Sequence, residues 1–139
     1  MNMNLEHGTL EEAFPIVNPG IEPVGARVLV QIRGASGKKI TTGGVHIPDE
    51  ALETEKWNTQ TGKVVAVGPL AYKRNTDLSD WPEGAWCKVG DFVRVPKYGG
   101  DKWEVDRGPG QEPALFVMFT CTDIIGVVTG DPLKIKAFV

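Results

Sequence analysis

Two alternating apolar runs, Arg27-Val-Leu-Val-Gln-Ile-Arg33 and Gly62-Lys-Val-Val-Ala-Val-Gly68, flank the stretch that most constrains this chain, Gly34 to Thr61. That stretch is about 28 residues of little regular pattern, roughly twice the ~12–15 beyond which a connection is usually functional or disordered. Gly, Ser, Thr, Lys and Glu dominate it, so it cannot bury enough apolar surface to fold alone. One cluster breaks the rule: Gly43, Gly44, Val45, His46, Ile47 and Pro48. The glycines free the backbone to turn, and Pro48 has no N–H, which limits any strand there to edge pairing. In an extended conformation Val45 and Ile47 share one side while His46 takes the other. The pattern reads as a tethered arm with a two-residue apolar anchor.

A chain of 139 residues has room for one domain with extensions. Its 41% apolar content is ordinary for a soluble protein, and no run approaches the ~20 residues of a membrane helix. The start, Met1 to Phe14, lacks the basic head and apolar run of a signal peptide, so a cytoplasmic location is expected. The net charge of −3 argues mildly against nucleic acid, and the lysine and arginine pairs at 38–39 and 73–74 are too sparse for a basic face. Cys87 and Cys121 stand alone, and His7 and His46 lack metal-site spacing. Two reduced thiols near the core are therefore expected, with no metal.

Residues 1–22 read as an appendage in which Leu10 to Phe14 has the makings of one helical turn before Pro15. Whether its apolar residues dock on a neighbouring surface or fray is left open. The domain runs from 23 to 128. Strands are expected at Arg27–Arg33, with Val28, Val30 and Ile32 on one face, and at Lys63–Val67, Phe92–Val95 and Lys102–Val105. Ala114–Phe119 is continuously apolar, as for a strand buried on both sides. Thr122–Val128 closes the core, and in the extension 129–139 Leu133–Val139 alternates as an edge strand would. An excursion over 69–86 is bracketed by aromatic residues, of which Trp81 and Trp86 are expected to pin the loop to its own domain. Short strands with Gly/Pro turns and no helix longer than a turn indicate a small all-β barrel or sandwich. First and last strands are the natural ones to pair between subunits, which makes a ring plausible.

Signatures of common chemistry are missing: no G-x-S-x-G, H-E-x-x-H, P-loop or G-x-G-x-x-G occurs. The visible carboxylate cluster (Asp49, Glu50, Glu53, Glu55) falls in the arm, which cannot hold catalytic groups to fractions of an ångström. No enzyme and no cofactor of the chain's own are expected.

Taken in order, several landmarks resemble a GroES-type co-chaperonin, the lid of the barrel-shaped chaperonins. They are Pro23 with Arg27-Val-Leu-Val30, Gly43-Gly-Val-His-Ile-Pro-Asp49, Gly62-Lys-Val-Val-Ala-Val-Gly68, Lys88-Val-Gly-Asp-Phe-Val-Arg-Val95 with Lys97-Tyr-Gly-Gly100, and Thr122-Asp-Ile-Ile-Gly-Val-Val128. The resemblance implies a GroES-like β-barrel with a long mobile loop at 34–61 and a roof excursion at 69–86. It also implies a heptameric ring that caps an ATP-bound, GroEL-type chaperonin and encloses a folding client. The loop residues Gly43 to Pro48 would make the contact, with Val45 and Ile47 as anchors, and ATP would be bound by the chaperonin alone. Ala26 departs from the family's acidic residue, and the arm and roof are longer than usual, which suggests a phage-encoded or specialised member. Alternatives are a phage structural or decoration barrel, a nucleic-acid-binding barrel, and the barrel of medium-chain alcohol dehydrogenases, whose nucleotide-binding domain is missing here.

Overall fold

The structure is a computed structural model that describes residues 10–32, 61–96 and 98–135. Its elements are α1 (Leu10–Ala13), β1 (Arg27–Ile32), β2 (Thr61–Val67), β3 (Phe92–Arg94), β4 (Asp101–Val105), β5 (Ala114–Thr120) and β6 (Gly126–Val127). A single 3-10 turn, Cys121–Asp123, joins β5 to β6. All six strands pair antiparallel in one sheet of order β4-β5-β1-β2-β3-β6. The expected all-β class is correct, and each expected strand up to residue 128 has a counterpart. The one helical turn at Leu10 is present, closed by the Phe14 amide donating to the Leu10 carbonyl at 2.7 Å.

The connection from β5 to β6 forces the sheet to curl. Thr120 pairs with Arg27 at the start of β1, whereas Gly126 pairs with Arg94, which pairs with Thr61 beyond the end of β1. Laid flat, the two would lie about 19 Å apart across the strands and about 20 Å apart along them. The link through the 3-10 turn spans at most about 16 Å. Only a rolled, barrel-like sheet satisfies both. Its interior collects Val28, Val30 and Ile32 of β1 with Val64, Val93, Leu115, Val117 and Phe119, as the alternation of β1 requires.

β2 departs from simple alternation. Val30 pairs with Val64 and Leu29 with Ala66, so Val65 is an extra residue, a β-bulge. The bulge keeps Val64 inside while Val65 and Ala66 both face outward, where they pack with Leu29 and Phe116. Gly68 follows the strand where the chain passes close to the segment leading into β1: a Cβ there would lie 2.3 Å from the Gly25 carbonyl oxygen.

Residues 10–24 do not fray. Phe14 is 2% exposed and meets the Phe92 ring edge-on at 5.1 Å, and Val17 packs on the outer cluster of Leu29, Ala114 and Phe116. Leu10, Ile16 and Ile21 stay exposed, so only part of the segment's apolar side docks. At the other end the sequence expectation needs correction. Leu133 and Lys134 lie in a turn, not an edge strand, and residues 136–139 fall outside the described residues. Asp131 captures this turn, its carboxylate accepting from the Leu133 amide and its carbonyl from the Lys134 amide.

Gly68→Ala should cost about 3 kcal/mol, the upper end of overpacking, because the obstructing atom is backbone and cannot rotate away. Guanidinium unfolding should show the midpoint falling at constant slope; an unchanged midpoint would show that the close approach carries no strain.

Candidate functional site

Gly43, Gly44, Val45, His46, Ile47 and Pro48 lie outside the described residues, as does the whole of 33–60. What the structure fixes is where that stretch leaves and returns. Ile32 ends β1 and pairs with Gly62, the second residue of β2. Both ends of 33–60 therefore emerge side by side at one end of the sheet. Gly62 tolerates no side chain, since a Cβ would lie 2.2 Å from Val30 Cγ1. Thr61 is 1% exposed, and its hydroxyl has no hydrogen-bond partner among the described residues.

The outer face at this root is covered by the N-terminal segment. Register aligns Phe92, Lys63, Gln31, Phe116 and Trp103 in a single row across five strands. The segment follows that row. Phe14 sits on Phe92, the Gln31 side-chain amide donates to the Pro15 carbonyl at 2.8 Å, and the Trp103 indole N–H donates to the Pro19 carbonyl at 2.9 Å. Pro15 and Pro19 have no N–H of their own, so the segment offers carbonyls without seeking strand partners. Trp103 in turn stacks on Phe116 at 6.0 Å. This strap was not legible in the sequence. Its prolines signal extended chain, but its destination depends on a row of residues assembled from five separate strands.

The excursion 69–86 folds back as a plug. Tyr72, Trp81 and Trp86 form a triangle of rings with all three centroid distances at 5.4 Å. This pins the loop to its own domain, as expected. Tyr72 is buried and adopts φ of +61°, a left-handed conformation that a bulky side chain enters at a cost of about 1–2 kcal/mol. Its hydroxyl donates to the Cys121 carbonyl at 2.9 Å and lies 3.5 Å from the Cys87 sulfur. Burial, reinforced by that thiol, holds the Tyr72 phenol well above the ordinary tyrosine range. Burial likewise raises the Cys87 thiol, partly offset by the bond from Tyr72. Both cysteines are free and buried, and the Cys87 thiol, raised by burial, is a poor nucleophile. Beside the plug a groove of about 520 Å³ runs along β6, lined by Trp86, Glu83, Thr122, Ile125 and Val127.

Among the described residues no group of three or more His, Cys, Asp or Glu could hold a metal ion, and no helix is long and apolar enough to cross a membrane. The perturbed carboxylates are turn locks. Asp91 is held below its usual range by the Lys88 side chain and then the Lys88 amide, and Asp77 by the Ser79 hydroxyl and then the Ser79 amide.

Residues 20–128 match the family described as Chaperonin 10 Kd subunit. The chain is 34% identical to the Co-chaperonin GroES of Tetragenococcus halophilus over 108 residues, covering 78% of this chain and 98% of that protein. It is 32% identical to the Co-chaperonin GroES of Methylacidiphilum infernorum (isolate V4) over 115 residues, covering 83% of this chain and all of that one. The family match takes in the barrel, the plug and the stretch 33–60, and it begins after Pro19, so the docked part of the strap lies outside it.

Because Cys87 and Tyr72 are both raised in the folded state, their contribution to stability is whole below the ordinary thiol pKa of about 8.5 and declines above it. The steeper fall should set in above about pH 10, where tyrosine ionises in the unfolded chain but Tyr72 in the fold does not. Tyr72→Phe should cost about 1–2 kcal/mol at pH 7 through the lost bond to Cys121 and flatten the fall above about pH 10. Denaturation midpoints at neutral and alkaline pH measure both effects.

Proposed function

The chain belongs to the Chaperonin 10 Kd subunit family and is a GroES-type co-chaperonin, and on that footing we propose that its subunits form a seven-membered ring that caps an ATP-bound, GroEL-type chaperonin over a folding client. Val45 and Ile47 enter a hydrophobic groove on the chaperonin, Gly43, Gly44 and Pro48 shape the approach, and His46 faces away. The nucleotide is the partner's, and the co-chaperonin takes no cofactor. The observation that supports this reading is the pairing of Ile32 with Gly62, which sets both ends of 33–60 on adjacent strands of a rigid sheet. A tether anchored so closely at its two ends is carried at one defined place on each subunit.

The energetics favour a collective grip. Burying two aliphatic side chains is worth roughly 3–6 kcal/mol. Fixing even ~4 backbone residues costs a comparable ~4–8 kcal/mol before hydrogen bonds to the partner are counted. A single arm then binds at about millimolar strength, ~−4 kcal/mol, or worse. Several arms on one ring gain ~10²–10⁴ in avidity without a new contact. Weak single grips also let go when the chaperonin changes state.

The two edges of the sheet differ in a way that suits ring assembly. β4 carries Asp101, Lys102 and Glu104, charges that discourage further strand pairing. β6 and its flank, Ile124 to Val128, carry none, and Ile125 and Val127 are 62% and 45% exposed beside the groove. In the ring, a different face of the neighbouring subunit covers Ile125 and Val127, since a seven-membered ring closes only through head-to-tail contacts.

Native mass spectrometry with a bacterial chaperonin, with and without ATP, tests these assignments together. Val45→Ser and Ile47→Ser should each retain the ring and lose nucleotide-dependent capping. Full capping by both variants would remove these anchors from the mechanism. Val127→Glu should give monomers that still fold; an intact ring would place the subunit contact elsewhere.

A further inference from the structure

We propose that the N-terminal strap, residues 10–19, is a clamp on the root of 33–60, and that Gln31 is its positioning residue. The inference rests on the reading that 33–60 carries the chaperonin contact, and it deepens that reading by naming what holds the strands from which the contact is launched.

Gln31 is the next-to-last residue of β1, one position before Ile32 pairs with Gly62 across the root. By alternation it points to the outer face of the sheet, where a glutamine would ordinarily be hydrated. Here it is 3% exposed, and its amide is spent on the Pro15 carbonyl. A buried amide demands such a partner, so the strap both removes Gln31 from water and supplies what water would have given it. The other attachments bracket this one. Phe14 lies on Phe92 of β3, two strands to one side, and Pro19 is held by Trp103 of β4, two strands to the other. The strap thus ties the strand on which 33–60 begins to its neighbours on both sides, along one register row that also contains Lys63 of β2.

A third element closes round the same point. Ala13 and Pro15 of the strap, Gln31 and Ile32 of β1, and Arg107 and Pro113 of the β4–β5 connection line a cavity of about 20 Å³. That is room for one water at most. The end of β1 is therefore enclosed by the strap on its outer face and by core on its inner face, so that every residue from Val28 to Ile32 is buried. The strap, residues 10–19, lies outside the family match, which begins at residue 20. The clamp's effect is to keep the β1–β2 pairing closed up to the last residue, so that load applied through 33–60 does not peel the two strands apart.

The test is residue-resolved amide exchange of the free full-length protein, compared with Gln31→Leu, which keeps the side chain's size and removes its donor. Exchange at Ile32, Thr61 and Gly62 should quicken about fivefold, the factor of one lost neutral hydrogen bond, while Val28 at the opposite end of β1 stays unchanged. Phe14→Ala should produce the same local pattern through the other attachment. Unchanged exchange at the root, or a uniform increase along all of β1, overturns the clamp. Chaperonin binding by the same variants is a separate readout. Root loosening should hasten dissociation from the ATP-bound chaperonin severalfold. If the unaltered protein fails to bind a chaperonin at all, the functional reading falls while the exchange result still decides the clamp.

Discussion

Strand β1 is buried on both of its faces, and the rest of the molecule is arranged to provide the two covers. The inner cover comes from the rolled sheet, whose curl is forced by the short link between β5 and β6. The outer cover comes from a strap that is not a strand at all. It lies across the strands and is held mainly through its carbonyls and one aromatic contact. A small barrel has little interior to bury, so a second apolar surface on the outside of its central strands adds materially to the area removed from water.

That arrangement leaves the two ends of 33–60 on adjacent, paired strands, β1 and β2. The weak, collective grip proposed above would need rigid mounting points, because any slack at the root adds to the ordering cost that each arm must meet on capture. The bulge at Val65 and the side-chain-free position at Gly62 belong to the same economy of space. They let β2 run close enough to β1 for the root to close while the apolar residues of β2 remain divided between the two faces.

At the plug the fold accepts local strain for closure. Tyr72 holds a left-handed backbone that nothing in its immediate sequence requests, and the cost is offset by burial of its ring against Trp81 and Trp86 and by its bond to Cys121. The cysteines serve there as small buried groups at the interface between plug and barrel, and burial raises the Cys87 thiol.

Local periodicity alone determined the inner face of β1, the double burial of β5, the helical turn before Pro15 and the turns at Lys88–Asp91 and Tyr98–Gly100. Each of these follows from the spacing of side chains within one segment. The ordered landmarks likewise carried the family, because they are runs of consecutive residues. Tertiary structure alone decided the bulge at Val65, the conformation of Tyr72 and the course of the strap. It also decided the fate of Leu133, whose alternating neighbourhood suggested a strand until Asp131 captured it in a turn. The division has one physical cause. A strand's faces are set by its own period of two, whereas what lies upon a face is set by register, which brings Phe92, Gln31 and Trp103 into one row although they are far apart along the chain.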